Sequence, residues 1–166
     1  MAIAEPFTIS TIALPDGGRI GISHIPGRGG TADHDIAAIA EWGAAAVVSM
    51  TDMAEMQACD CADLGERLSG RSIAWFHVPV RDLGGPGAAS LEKWTGIAPV
   101  LHAILDDGGA VLVHCHGGHG RAGMAALRLL VERGWSPEQA LRHIRSVRPG
   151  AVQTERQYRW AASAAG

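Results

Sequence analysis

The sequence predicts an α/β fold, with a single domain and a largely parallel central sheet flanked by helices. Short apolar runs alternate along the chain with segments whose apolar residues recur at helical spacing. The 166 residues are 47% hydrophobic and 19% charged, which is typical of a folded protein with a substantial core. No internal repeat or linker divides the chain, so we expect one domain over residues 1–166.

The predicted strands are short and mostly apolar. The first two are separated by Pro15-Asp16-Gly17-Gly18, whose Asp-Gly pair favours a hairpin turn. The third and fifth are mostly apolar, as expected of strands buried on both faces of a sheet. The five predicted strands cover residues 7–14, 19–25, 45–50, 73–78 and 110–114.

The predicted helices follow from apolar periodicity and from helix-end signals. The first is centred on residues 36–40 and ends near Gly43, and the third contains Pro99, which predicts a kink or a break. The fifth begins with Ser136-Pro137, a serine cap followed by a proline suited to the first helical position. The second to sixth helices are predicted at residues 60–68, 88–105, 121–133, 136–147 and 154–164.

Charge and composition exclude several classes of partner. The net charge of −3 provides no electrostatic footprint for nucleic acid or an anionic membrane. No apolar stretch is long enough to cross a bilayer, and the first residues lack the pattern of a signal peptide. The three cysteines do not look like a disulfide framework. We therefore expect a cytoplasmic protein with reduced thiols; the oligomeric state is not predicted.

The most informative segment is residues 110–121, in which a buried strand leads to a cysteine, a loop with three glycines, and an arginine that opens a helix. Glycine allows the loop to curl so that successive N–H groups point into one bowl. The helix N-terminus adds positive potential, and the planar guanidinium of Arg121 can bind two phosphate oxygens. The predicted anion-binding residues are His116, Gly117, Gly118, His119, Gly120 and Arg121.

Cys115 precedes this predicted anion site and would lie beneath it. Helix N-termini and nearby cations stabilise a thiolate, so a site that holds a dianion should also hold a nucleophilic thiolate. We predict that Cys115 attacks phosphorus and forms a cysteinyl-phosphate that water then hydrolyses. His114 is predicted to help fix the cysteine by hydrogen bonding.

Two other interpretations of this segment compete with an anion site. One is a tight turn with a buried, inert cysteine, because glycine-rich turns and buried cysteines are both common. The other is a zinc site formed by His114, Cys115, His116 and His119. Structural zinc usually takes its ligands from two separated pairs, and a zinc ion would leave Arg121 pointing at a cation. We therefore predict neither a metal nor an organic cofactor.

A cysteine, five residues and an arginine form the signature loop of the protein tyrosine phosphatase superfamily. The chain resembles in particular the small dual-specificity phosphatases of the kinase-associated (cyclin-dependent kinase inhibitor 3) type. The resemblance also covers residues 14–27, 78–82 and 150–158. It implies a fold of the dual-specificity cysteine-phosphatase type and hydrolysis of phosphoric monoesters.

The resemblance also assigns roles outside the loop. It makes Asp82 the general acid, on a loop hinged by glycines, which protonates the leaving oxygen and then acts as base towards water. Taken alone, Asp82 would be a turn residue. Gln153 and Gln157 match residues that orient the attacking water in relatives, although glutamine near a helix start is also commonly a cap. Ala122 replaces a family serine or threonine that stabilises the departing thiolate, which predicts slow turnover.

These observations predict a phosphatase whose partner is a phosphorylated protein or peptide. The expected substrate is phosphotyrosine, and a shallow pocket with dual specificity towards phosphoserine and phosphothreonine is also open. The rate should peak at mildly acidic pH, because a thiolate and a protonated carboxylic acid are needed together. A phosphate-binding module with little turnover and a rhodanese-like sulfurtransferase are the alternatives. Cys59 and Cys61 are redox partners of Cys115, packing residues or surface thiols.

Overall fold

The computed structural model describes residues 6–165, in which strands and helices alternate as predicted. The strands are β1 (Ser10–Ala13), β2 (Arg19–Ser23), β3 (Ala44–Ser49), β4 (Ala74–His77) and β5 (Ala110–His114). The helices are α1 (Ala32–Trp42), α2 (Met53–Ala58), α3 (Leu64–Ser69), α4 (Ala88–Asp106), α5 (Gly120–Glu132), α6 (Pro137–Val147) and α7 (Glu155–Ala162), followed by a 3₁₀ turn at Ser163–Ala165.

The five strands form one sheet in the order β1-β2-β5-β3-β4. Only β1 pairs antiparallel, through the predicted hairpin, in which Leu14 N–H donates to Gly18 O at 2.8 Å. The other neighbours are parallel, so the predicted fold class is confirmed. Strand β5 lies at the centre of the sheet. In open α/β sheets, ligands bind beyond the carboxyl ends of the strands, so the segment that follows β5 is positioned for a ligand site.

The sheet separates two layers of helices, and the residues of β5 alternate between them. Val111 and Val113 pack in a cluster with α4, α5, α6 and α7. Leu112 points to the opposite face, in a cluster with α1, α2 and α3. This alternation follows from the two-residue period of a strand buried on both faces. Within the described residues, no helix has the length and apolar character needed to cross a membrane.

Helix α2 was not predicted, and the helix expected at residues 60–68 is shorter than expected. Asp60 adopts a left-handed φ of 56°, so the chain turns there and α3 begins only at Leu64. Helix α2 is closed by a capping box in which Asp52 accepts from Glu55 N–H and Glu55 accepts from Asp52 N–H. An acidic residue followed three positions later by glutamate is a recognisable helix start, so this helix could have been predicted.

Of the kink or break predicted at Pro99, the break is wrong, because α4 continues through this residue from Ala88 to Asp106; the kink stays a prediction. Proline removes one backbone donor and strains the preceding turn. Pro99 lies on the exposed face of α4, where the unbonded carbonyl can meet water. The opposite face buries Trp94, Leu101 and Leu105 in the core, and this packing outweighs the local cost.

Candidate active site

The loop from Cys115 to Gly120 joins the central strand β5 to α5, and protein donors hold its carbonyls at both ends. The carbonyl of Cys115 accepts from His114 Nδ1 at 3.2 Å. The carbonyl of His119 accepts from the amides of Gly123 and Val152 at 2.9 and 3.1 Å. These contacts anchor the loop to the strand before it and to the segment that precedes α7.

The middle of the loop is held from outside in the same way. The carbonyl of His116 accepts from the amide of Ile25 at 3.1 Å. Arg148, at the C-terminal end of α6, donates from Nε to Gly118 O at 2.9 Å and from Nη2 to Gly117 O at 3.2 Å. Every carbonyl from Cys115 to His119 is therefore bound on the outer side of the loop.

This pattern determines where the loop amides point. Across a trans peptide, the C=O of one residue and the N–H of the next point in opposite directions. Because the carbonyls of residues 115–119 are bound outside, the amides of residues 116–120 face inward. Among the described residues, no hydrogen bond uses the amides of His116, Gly117, Gly118, Gly120 or Arg121. The concave side of the loop is therefore lined with donors available to an anion.

Gly118 is the position at which the loop most needs glycine. Its φ is +77°, in the left-handed region. A Cβ there would lie 2.5 Å from Arg148 Nη2 and 2.6 Å from the backbone carbon of Ser23. Any side chain would therefore push the loop away from both the arginine that holds it and strand β2.

Arg121 is fully buried, at 1% exposure, and its donors are only partly used. Nη1 and Nη2 bind the two carboxylate oxygens of Glu55 at 2.9 and 2.8 Å, and Nη1 also donates to Val80 O at 3.0 Å. One Nη2 hydrogen and the Nε–H remain, and Nε has no hydrogen-bond partner. These two hydrogens form a side-on pair spaced to bind two oxygens of one phosphate.

The ion pair between Arg121 and Glu55 fixes the charge of both groups. The hydrogen bond from Arg121 lowers the pKa of Glu55, although burial acts in the opposite direction. Burial also opposes the charge of Arg121, but Glu55, together with the charges of Cys115 and Asp82, more than offsets it, and the pKa of Arg121 is raised. The guanidinium is therefore held charged inside the protein, with a fixed orientation.

His114 lies behind the cysteine on β5 and is completely buried. Burial lowers the pKa of His114 to about 4, so the ring is neutral at physiological pH. Trp75 Nε1–H donates to Ser49 Oγ at 2.8 Å, and the Ser49 hydroxyl lies 2.6 Å from His114 Nε2. The hydroxyl therefore donates to Nε2, which leaves the His114 hydrogen on Nδ1 to bind Cys115 O.

Asp82 lies beside the free edge of Arg121, with Oδ1 3.7 Å from Nε and a side chain that is 70% exposed. Its loop is held at the base of α7, where Thr154 Oγ1 donates to Leu83 O at 3.0 Å. Leu83 adopts a left-handed φ of 64°, and its amide binds Asp82 Oδ1 at 3.0 Å. A carboxyl group therefore lies at the mouth of the anion site, open to solvent and to a substrate.

The two glutamines differ in position. Gln157 is buried, and its Oε1 accepts from the amides of Gln153 and Thr154 in a capping box. Its Nε2 donates to Gly84 O at 3.5 Å. The side-chain amide of Gln157 is therefore hydrogen-bonded to the start of α7 and to the loop that carries Asp82. Gln153 is exposed, and its Oε1 would lie 2.4 Å from a Cβ on Gly120. Gln157 also borders the loop, because its Nε2 and Oε1 would lie 3.0 and 3.1 Å from the same Cβ. A role in orienting water stays a prediction for both glutamines.

The three cysteines are free thiols, and Cys115 is 3% exposed at the base of the loop. Burial raises the pKa of Cys59 and raises that of Cys61 to about 12, so neither is a reactive thiolate at neutral pH. Within residues 6–165, no group of three or more His, Cys, Asp or Glu side chains is arranged to hold a metal ion.

Three residues of the site are not predicted from the sequence. Glu55 was missed because helix α2 was missed, although its capping box is readable in the sequence. Arg148 is one of several arginines near α6, and only the fold shows that it meets the loop. Ser49 ends β3 beside β5, and the parallel pairing of these strands, not any local signal, brings it to His114.

Comparisons with known proteins find similarity to phosphatases. Residues 20–135 match a family model described as Tc-R-P, polymorphic toxin system, DSP-PTPase phosphatase. Mouse cyclin-dependent kinase inhibitor 3 is 38% identical over 90 residues, which cover 53% of this chain and 41% of the relative. A probable protein tyrosine phosphatase type IVA A from Dictyostelium discoideum is 31% identical over 97 residues, 58% of each chain. The chain thus spans about two fifths of the length of the kinase inhibitor 3 relatives.

The solved structures extend the likeness to nearly the whole chain. Kinase associated phosphatase, with serine in place of its catalytic site cysteine, has a TM-score of 0.81 and 26% identity over 95% of this chain and 93% of that one. Tk-PTP in its active form has a TM-score of 0.70 and 25% identity over 94% and 96%. The fold type expected from the resemblance is confirmed.

Proposed function

This chain belongs to the DSP-PTPase phosphatase family, and we propose that it hydrolyses phosphotyrosine in proteins or peptides through a cysteinyl-phosphate on Cys115. The observation that supports this most directly is that Arg121 keeps N–H groups available for a ligand. After Glu55 and Val80 are bound, a side-on pair of N–H groups remains. A buried, charged donor pair beside inward-facing amides is suited to a dianion.

In the first step, the phosphate of the substrate binds to the loop amides and to the free edge of Arg121. The Cys115 thiolate attacks phosphorus opposite the leaving oxygen, so an S–P bond forms as the O–P bond breaks. Asp82, whose Oδ1 is 3.7 Å from Arg121 Nε, donates its proton to the leaving oxygen. The alcohol or phenol departs, and the phosphoryl group stays on sulfur.

In the second step, water attacks the phosphoryl group and the S–P bond breaks. The Asp82 carboxylate takes the water proton, so inorganic phosphate leaves and Cys115 returns to the thiolate. Gln153, whose side chain reaches the loop at Gly120, is our candidate for orienting this water. His114 helps to fix the position of Cys115 by donating a hydrogen bond from Nδ1 to the Cys115 carbonyl.

Substrate and compartment follow from the same chemistry. The relatives include kinase inhibitor 3 proteins and a probable tyrosine phosphatase, which supports a phosphorylated protein or peptide as the substrate class. Asp82 lies at an exposed mouth, which favours a shallow pocket that also admits phosphoserine and phosphothreonine.

We assign the enzyme to the reducing cytoplasm, because its nucleophile must remain a thiolate.

The test is hydrolysis of p-nitrophenyl phosphate and of phosphopeptides that carry each phosphorylated residue. We expect turnover by the wild type, none by Cys115→Ser, and faster cleavage of phosphotyrosine than of phosphoserine. A variant with Cys59→Ser serves as the thiol control and should retain full activity. Undiminished activity of Cys115→Ser would refute the proposal.

A second candidate function is a phosphate-binding module with little turnover. The observation that favours it is Ala122, which lies fully buried beside the loop and offers no hydroxyl to the departing thiolate. Under the phosphatase proposal, Ala122→Ser speeds hydrolysis of the intermediate and raises kcat. Phosphate binding without product release, in both the wild type and Ala122→Ser, would favour the module.

A further inference from the structure

Arg148 carries a buried positive charge without an acidic partner among the described residues. It is 6% exposed, and its guanidinium donates only to Gly118 O at 2.9 Å, Gly117 O at 3.2 Å and Ser10 Oγ at 3.4 Å. No carboxylate in residues 6–165 lies within ion-pair distance of it. The other buried arginine of the site, Arg121, is balanced by Glu55 at 2.8 Å.

A buried charge needs compensation, because removing it from water is costly unless an opposite charge is near. The backbone carbonyls of the loop supply partial negative charge but no full countercharge. A single layer of peptide groups separates Arg148 from the concave side of the loop. A phosphate dianion bound there, with the Cys115 thiolate beneath it, would supply a countercharge on the other side of the peptide groups that Arg148 contacts.

The two hydrogen bonds also act on the donors that face the anion. The carbonyls of Gly117 and Gly118 share their peptide groups with the amides of Gly118 and His119. A cation that binds a carbonyl polarises the peptide and strengthens its N–H as a donor on the other side. Arg148 therefore acts on the bound anion by polarising these peptide groups, without contacting the anion.

We propose that Arg148 is a positioning residue of the phosphate site, a second cation that acts from behind the loop to stabilise the bound phosphate and the thiolate. This inference rests on the proposed phosphatase function. It differs from a purely structural role, in which Arg148 would only fix the shape of the loop and its charge would not matter.

A matched pair of variants distinguishes the effect of the Arg148 charge from the effect of its hydrogen bonds on the shape of the loop. Arg148→Lys and Arg148→Gln can each donate to a loop carbonyl, but only the lysine keeps the charge. Arg142→Gln, on the exposed face of α6 with no hydrogen bond to a described residue, controls for the loss of net charge. The measurements are thermal unfolding, inhibition by orthovanadate, and the pH profile of Cys115 alkylation by iodoacetamide. The other titratable groups in and around the loop, which are Glu55, Asp82, His114, His116, His119 and Arg121, are unchanged throughout.

We expect Arg148→Gln to weaken vanadate inhibition about tenfold, the scale of one charge-assisted hydrogen bond, and to move alkylation to higher pH. Arg148→Lys should weaken inhibition less and keep the alkylation profile, and Arg142→Gln should change neither. A folded Arg148→Gln that matches the wild type in both measurements would overturn the inference. If Arg148→Gln does not fold, an alkylation profile displaced in Arg148→Lys despite its charge would overturn it.

The proposed function fails separately. If the wild type does not hydrolyse aryl phosphates, the phosphatase proposal is refuted, whatever the variants do. If the wild type is active and Arg148→Gln behaves like it, only the role of Arg148 is refuted.

Discussion

Replacing Glu55 with glutamine tests how Arg121, the arginine that we propose binds phosphate, is held in place. The wild-type carboxylate accepts two hydrogen bonds from Arg121, at 2.8 and 2.9 Å. The glutamine side chain would keep the shape and one acceptor, but its amide would present a donor to the second guanidinium nitrogen. One charge-assisted hydrogen bond is lost, and a buried guanidinium loses its counterion.

The size of the effect follows from the exposure of the two partners. A hydrogen bond to a charged group contributes about 1.5–3 kcal/mol. The Glu55 side chain is 25% exposed whereas Arg121 is 1% exposed, so solvent screening reduces this contribution. We expect the free energy of unfolding to fall by about 1–2 kcal/mol. For a domain of this size, that lowers the unfolding temperature by roughly 2–8 °C.

The same substitution should change the dependence of stability on pH. The pKa of Glu55 is lowered in the folded protein, mainly by Arg121, so the pair stabilises the fold above the ordinary glutamate pKa of about 4.3. In the wild type, this contribution is lost as pH falls through the lowered pKa. The variant lacks this component, so the two unfolding temperatures should converge in acid.

The assay is thermal unfolding of the wild type and Glu55→Gln from neutral pH to acid. Glu66→Gln is the matched control, because it removes the same charge from an exposed position in α3 and should change the free energy of unfolding by less than about 0.5 kcal/mol. Equal unfolding temperatures for Glu55→Gln and Glu66→Gln, or parallel pH profiles for Glu55→Gln and the wild type, would refute the reasoning.

Three further substitutions test other parts of the site. Asp82→Asn should lower kcat for phenyl phosphate about 10²-fold and much less for p-nitrophenyl phosphate, whose leaving group needs no proton; equal losses would contradict an acid role. Thr154→Val removes the hydroxyl that donates to Leu83 O at 3.0 Å in the loop of Asp82 and that also caps α7. It should lower kcat about fivefold with Km nearly unchanged, and lower the free energy of unfolding by about 1 kcal/mol through the lost cap; an unchanged kcat would show that the contact with Leu83 is incidental. Gly118→Ala should destabilise the protein by more than about 2 kcal/mol, while Gly96→Ala, with open space in α4, should be neutral or stabilising; similar unfolding temperatures for the two would argue against the tight fit at the loop.

The sequence predicted the fold wherever local pattern and packing agree. Strand β5 is apolar from Ala110 to Val113, and its central position in the sheet buries both faces. The break at Pro99 failed because a local rule about backbone donors could not weigh the buried side of α4. The short α2 was missed because six residues show little periodicity, although its capping box was present.

The site was predictable where its residues are contiguous, and less so where the fold assembles it. The loop and Arg121 follow one another in the chain, so their chemistry can be recognised directly. Glu55 and Arg148 reach the loop from separate elements, and no spacing rule links them to Cys115. Their partners are fixed by how strands and helices pack, which the sequence pattern does not encode locally.

The most direct test of the account is to trap the covalent intermediate. The wild type and Cys115→Ser are mixed with p-nitrophenyl phosphate, quenched in acid within the first turnover, and digested for mass spectrometry. We predict a phosphoryl group on Cys115 of the wild type, formed with a burst of p-nitrophenol, and no phosphorylation in the variant. Steady product formation with Cys115 unmodified, or phosphate on another residue, would contradict the mechanism.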